Sequence, residues 1–158
     1  MRLYEKEPKT ILLVEDNPDD EKLAVRAIKQ IQAPIALDVA RDGAEALDYF
    51  FGEHGIAVNG KLNKPLLVLL DLKLPKLSGV EVLKRLRADS RTRCVPVVIL
   101  SLSDEVRDLV DCYQNGANSY TRKPVNYDQF IEVVQQLCNY WFNINHYVPC
   151  ACAPVGSD

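Results

Sequence analysis

The sequence predicts an α/β fold, a doubly wound sheet of five parallel strands with helices on both faces. Three observations carry that prediction. Five short apolar runs alternate with amphipathic segments, two of the runs (65–71 and 95–100) are apolar without alternation, and polar residues follow directly on four of the five. Strands separated by helices imply parallel βα units, because a parallel pair needs a crossover and a helix is the usual one. Runs without alternation fit strands covered on both faces. In such sheets ligands sit beyond the carboxyl ends of the strands, at the point where the strand order reverses.

The runs are "TILLVE" (10–15), "IALDVA" (35–40), "PLLVLLD" (65–71), "VPVVIL" (95–100) and "NSYTR" (118–122). After the first, Leu23, Ala24, Ala27, Ile28 and Ile31 recur at the spacing of a helix with one buried face, and Pro18 suits its first turn. "DGAEALDYFF" is the second helix, with Asp42 as its cap. "SGVEVLKRLRADS" is the third, with Ser78 as cap and Glu81 at the third helical position of a capping box. The fourth, "SDEVRDLVDCYQNG", is expected to start at Ser103 and stop at Gly116, with Val106, Leu109, Val110 and Tyr113 on one side. The fifth runs from about Asn126 to Asn143, with Phe130, Val133, Val134, Leu137 and Trp141 on one stripe. The Gly- and Asn-rich segment 52–64 reads as a surface excursion, and "VPCACAPVGSD" as a flexible end.

At 158 residues the chain fits one domain, divided here into an extension (1–9), a folded unit (10–145) and a tail (146–158). Hydrophobic residues make up 47% and charged residues 26%, which excludes wholesale disorder and fibrous repeats. A formal charge of −3 provides no basic footprint, so no nucleic-acid partner is expected. The polar start "MRLYEKEPKT" precedes an apolar run too short for a signal peptide or a membrane span; a cytoplasmic protein without a membrane partner is expected. Five cysteines, with no C-x-x-C, read as reduced structural thiols.

Glu15 and Asp16 end the first run, Asp71 the third, Ser101 follows the fourth and Lys123 the fifth. Taken singly, each has an ordinary reading: a helix cap, the start of a turn, a solvated charge. On parallel strands they converge on one edge. Three carboxylates brought close repel one another and raise their pKa values unless a cation sits between them. Mg²⁺ meets that need, since it uses few protein carboxylates, keeps several waters and leaves room for a phosphate. The set suits an incoming phosphoryl group, with Asp71 attacking, the metal and Lys123 neutralising the equatorial oxygens, and Ser101 donating a hydrogen bond.

"LLVEDNPDD", "LLDLKLPKLSG", "VVILS" and "NSYTRKP", in this order and over about residues 10–140, resemble the receiver domain of two-component response regulators, the CheY-like family. The resemblance implies a flavodoxin-like (βα)5 fold with strand order 2-1-3-4-5. It implies that Asp71 is the phosphoacceptor, that Glu15, Asp16, Asp71 and the main-chain carbonyl of Lys73 hold Mg²⁺, and that Lys123 and Ser101 contact the phosphoryl group. Ser101 and Tyr120 match the switch pair, and Pro124 a proline that follows a cis bond. A histidine kinase is the implied donor, and the domain is a signalling module, not an enzyme acting on external substrates.

"ARDGAEALDYFFG", the 52–64 excursion and "KPVNYDQFIEVVQQLCNYW" are similar to single-domain regulators of the bacterial and cyanobacterial phytochrome-associated type. That similarity implies a phytochrome-like kinase, a downstream target protein and pairing through the fourth helix, fifth strand and fifth helix. Phe142 and Ile144 either extend that surface or fold back over the core. Leu102 is bulkier than the small residue common at its position, and Lys73 and Ser103 lie where they would tune phosphate lifetime.

Other readings compete. A dinucleotide binder needs a glycine-rich turn after the first strand, and "VEDNPDD" has none. An aspartate-nucleophile phosphatase wants a second acid two residues after the nucleophile, where Lys73 stands. A receiver-like docking module that is never phosphorylated is the remaining alternative. His146, Cys150 and Cys152 lack the usual metal-site spacing, and His54 reads as an exposed loop residue.

Overall fold

The register between parallel strands determines where polar side chains emerge. The computed structural model describes residues 9–52 and 64–147. Its elements are β1 (Lys9–Val14), α1 (Pro18–Lys29), β2 (Ile35–Ala40), α2 (Gly43–Phe51), β3 (Leu67–Leu70), α3 (Gly79–Ala88), β4 (Val97–Ser101), α4 (Val106–Gln114), β5 (Ser119–Arg122) and α5 (Tyr127–Asn139). A π-helical turn, Tyr140–Ile144, continues α5. The strands form one parallel sheet in the order β2-β1-β3-β4-β5. The crossover from β2 to β3 reverses the direction of travel, which puts the switch point, where sheets of this kind bind ligands, at the β1/β3 carboxyl ends.

Alternate strand residues feed two cores. Leu12, Val14, Val68, Leu70, Val97 and Ile99 pack with Phe50 of α2, Leu83 and Leu86 of α3 and Cys112 of α4. Ile11, Leu13, Leu67, Leu69, Val98 and Leu100 pack with Ala24, Ala27 and Ile28 of α1 and Phe130, Val134 and Cys138 of α5. β1, β3 and β4 are therefore covered on both faces, which is why their sequences do not alternate. The Arg87 guanidinium bonds the carbonyls of Gly116, Arg93 and Val95 and the Asn118 side chain, tying α3 to the loops that flank β4.

Three expectations need correction. α4 starts at Val106, not Ser103, because the Ser103 hydroxyl accepts from Glu105 N and donates to Asp108, and its carbonyl accepts from Tyr120. Val106, Leu109, Val110 and Tyr113 share one side of α4 as expected, and that side is exposed, with Val106 at 73%, Tyr113 at 50% and Val110 at 43%; Cys112 is the residue this helix buries. The Lys123–Pro124 peptide is trans, not cis, the form X–Pro bonds prefer by about 0.5–1 kcal/mol. The α5 stripe also shifts, since Phe130, Val134 and Cys138 are buried while Leu137 and Trp141 are partly covered. Phe142 folds back onto the core and Ile144 stays exposed. The 53–63 part of the excursion, with His54, and residues 1–8 and 148–158, with Cys150 and Cys152, lie outside the described residues.

The loop from Asp71 to Gly79 is shaped by close backbone contact. Lys76 takes a left-handed φ of 67° and its ammonium pairs with Asp42, 3.1 Å away. Gly79 N donates to Leu72 O (2.8 Å), and a Cβ on Gly79 would lie 2.2 Å from Asp71 O and 2.8 Å from Leu72 Cα. Only a glycine lets α3 start against the backbone that carries Asp71. Gly79→Ala is expected to cost about 1–3 kcal/mol, the usual range for overpacking, measured by urea unfolding. An unchanged midpoint would show that this contact relaxes without cost.

Candidate functional site

Backbone hydrogen bonds deliver the site residues one step beyond their strands. Glu15 N donates to Ala40 O (2.9 Å), Asp71 N to Val14 O (3.0 Å) and Lys123 N to Ser101 O (2.8 Å). Each bond prolongs a strand ladder by one residue, so Glu15, Asp71 and Lys123 are placed by the sheet and not by loop conformation. All three are buried, together with Ser101 at the end of β4.

The Lys123 ammonium is the centre of the cluster. Its three N–H donors meet three carboxylates: Glu15 Oε2 at 2.6 Å, Asp71 Oδ2 at 3.0 Å and Asp20 Oδ2 at 3.0 Å. Glu15 Oε1 also accepts from Asn17 N (3.1 Å), and Asn17 caps α1 by accepting from Asp19 N and Asp20 N. Asp20, in the first turn of α1, was not expected from the sequence to belong to this group. The signal available was an acidic pair directly after Pro18, where an acidic first turn of a helix is its own sufficient explanation.

Asp16 is exposed, yet Glu15, Asp16 and Asp71 each offer an oxygen within 4.8 Å of the others. This set of hard oxygen donors, with more negative charge than one lysine offsets, fits a divalent cation such as Mg²⁺. Burial is the largest influence on Glu15 and, with the charge of Asp71, pushes its pKa up to about 7 against the hydrogen bond from Lys123. Burial disfavours the Lys123 charge, but Asp71, Glu15 and Asp20 outweigh it and hold its pKa above the ordinary lysine value.

The pH consequences follow from the raised Glu15 value. In the metal-free protein Glu15 contributes stability that is fully present below its ordinary value of 4.5 and is lost as the pH rises through about 7. A cation held by Glu15 would have to displace that proton, so Mg²⁺ affinity is expected to fall by up to about tenfold per unit as the pH drops below 7. Calorimetric titration between pH 5.5 and 8 checks this, and a flat profile would contradict it.

A second chain of contacts leads away from the mouth. Ser101 Oγ accepts from Ser103 N (3.2 Å), Tyr120 Oη donates to Ser103 O (2.9 Å), and Tyr120 N donates to Tyr113 Oη (3.2 Å). Ser101 and Tyr120 are thus joined through Ser103, which also binds Asp108 of α4. Lys73 and Leu102 are exposed. Cys112 and Cys138 are buried free thiols whose pKa values burial pushes up to about 11 and 12, while Cys94 and His146 are exposed. Among the described residues, no helix is long and apolar enough to cross a membrane.

Comparison with known proteins agrees with this fold. The model of the response regulator receiver domain matches residues 11–135, and the chain belongs to that family. It is 38% identical over 143 residues to the probable methanogenesis regulatory protein FilR2 of Methanothrix harundinacea, covering 90% of each chain. It is 34% identical to response regulator Rcp1 of Synechocystis over 85% of this chain and 89% of that one. The Mn²⁺-bound form of Rcp1 superposes with a TM-score of 0.79 at 33% identity, over 89% of this chain and 99% of that one. The phosphorylated cyanobacterial phytochrome response regulator RcpA superposes with a TM-score of 0.83 at 34% identity, with the same coverage. The chain is therefore a receiver-domain response regulator of the two-component type, close to phytochrome response regulators. Such domains are signalling modules, not enzymes in the ordinary sense, and bind Mg²⁺ or Mn²⁺ in an acidic pocket.

Proposed function

We propose that this protein is a response regulator that takes a phosphoryl group from a histidine kinase onto Asp71 with Mg²⁺ and signals through a changed protein-binding surface. The observation that carries the reading is the buried Lys123 ammonium shared among Glu15, Asp71 and Asp20, beside the Glu15, Asp16 and Asp71 oxygens. Glu15, Asp16, Asp71 and the Lys73 carbonyl would hold the metal. When bound, Mg²⁺ supplies charge neutralisation for the transferring phosphoryl oxygens.

Asp71 attacks phosphorus through a carboxylate oxygen. A P–O bond forms as the P–N bond to the donor imidazole breaks, and the imidazole nitrogen leaves with the bonding pair and takes a proton. Lys123, already among the carboxylates, donates to the phosphoryl oxygens, and Ser101 turns its hydroxyl from Ser103 N toward one of them. That exchange disturbs the Ser103 contact that holds Tyr120, so the β4–α4 loop and α4 shift together.

The partner surface is the exposed apolar side of α4, with Val106, Leu109, Val110 and Tyr113, continued by Leu102, Val125 and Tyr127. A downstream target, or a second copy pairing through α4, β5 and α5, covers it. The donor is a phytochrome-like kinase, the protein acts in the cytoplasm, and the folded unit spans residues 10–145. Incubation with a phosphohistidine donor and Mg²⁺ should add one phosphoryl to the intact mass, and chelation should prevent it. No gain under either condition would sink the reading. Sedimentation with and without a phosphoryl mimic tests pairing, and a monomer in both states would refute it.

A further inference from the structure

Among the carboxylates around Lys123, Asp20 stands apart. Glu15 and Asp71 both belong to the group of oxygens that fits a cation, and Asp20 does not. Its Oδ2 nevertheless lies 3.0 Å from Lys123 Nζ, the same distance as Asp71 Oδ2. Asp20 comes from α1, held by its own N–H bond to the Asn17 cap, while Lys123 comes from the end of β5. An ammonium bonded to Glu15 and Asp71 competes with a cation for the same oxygens. A third carboxylate beside the cation-binding group gives that ammonium somewhere else to go.

We propose that Asp20 is a positioning residue for Lys123, an anchor on α1 that keeps the ammonium at the mouth when a divalent cation claims Glu15 and Asp71. The inference rests on the metal site of the proposed function. It explains how one buried lysine and one cation can share two carboxylates without either being expelled. With Asp20 present, Lys123 loses two partners on metal binding and keeps the third. Its two released N–H groups are then free for phosphoryl oxygens. Without Asp20, Lys123 has no alternative partner among these carboxylates and stays on Glu15 and Asp71, against the cation.

The competing explanation is that Asp20 only stabilises the N-terminus of α1, or attracts a cation by charge alone. Asp19, exposed in the same helical turn, shares both properties without contact to Lys123, so Asp19→Asn is the control. The test is a double-mutant cycle in the full chain, with Mg²⁺ affinity measured by calorimetry and unfolding measured in the metal-free protein. Asp20→Asn should weaken Mg²⁺ binding by about tenfold in the parent, and by less than about twofold when Lys123 is replaced (Lys123→Met). Asp20→Glu should restore most of the affinity, and Asp19→Asn should change it by less than about twofold. In the metal-free protein the two substitutions should be coupled by about tenfold in the unfolding equilibrium.

Equal losses from Asp20→Asn in both backgrounds would overturn the proposal, as would an Asp19→Asn effect of the same size. Because the unfolding cycle needs no metal, coupling there with no Mg²⁺ binding by the parent would instead show the metal site itself to be misassigned. That result would also overturn the anchoring role in metal binding. Loss of folding in Lys123→Met is covered by Lys123→Arg, which keeps the charge and should preserve the Asp20 effect on Mg²⁺ affinity. Its disappearance in that background would count against the proposal.

Discussion

Asp71→Asn is expected to gain no phosphoryl group under conditions in which the parent gains one, while its fold is retained. The substitution exchanges a carboxylate oxygen for an amide of the same size, so packing at the end of β3 is preserved. The side-chain amide cannot form an acyl phosphate, since it is a poor nucleophile and lacks the carboxylate charge. Lys123 loses one charged partner and keeps Glu15 and Asp20. Intact mass after incubation with the donor and Mg²⁺ reads the result directly. A variant labelled as fully as the parent would place the phosphoryl group elsewhere.

Lys123→Met is expected to destabilise the metal-free protein by about 3–5 kcal/mol at neutral pH, the cost of leaving buried carboxylates without their cation. Glu15, keeping the Asn17 N–H, and Asp71 would then face each other without the ammonium between them, and the already raised Glu15 pKa would rise further. Stability therefore returns as the pH falls and Glu15 takes a proton. If Mg²⁺ binds the folded cluster and not the unfolded chain, as proposed, it is expected to recover part of the loss at neutral pH. Urea unfolding at pH 5 and pH 8, with and without Mg²⁺, checks all three statements. A loss independent of both pH and Mg²⁺ would mean that methionine fails there for reasons of shape and not charge.

Much of the fold was legible because each signal was local. The apolar runs marked all five strands to within a few residues, and Asp42 and Ser78 cap α2 and α3 with bonds to Glu45 N and Glu81 N. Parallel strands then brought Glu15, Asp71, Ser101 and Lys123 to one edge without further assumption. What the sequence did not disclose depended on tertiary partners. Asp20 reads as a normal acidic first turn until β5 carries Lys123 beside it. Ser103 reads as a helix cap until Tyr120, seventeen residues on, takes its carbonyl. The apolar side of α4 looks like a core stripe, because periodicity reports which residues share a face and not whether that face is covered. Gly79 looks like part of a turn, and its need to be glycine appears only where α3 meets the Asp71 backbone.

On the proposed function the phosphoryl group sits on Asp71. The direct measurement is to phosphorylate the parent protein, reduce the acyl phosphate with borohydride, and locate the resulting homoserine by peptide mass spectrometry. The site geometry predicts modification at residue 71 alone. Modification at Glu15, Asp16 or Asp20, or phosphate on a histidine or serine with residue 71 untouched, would contradict it.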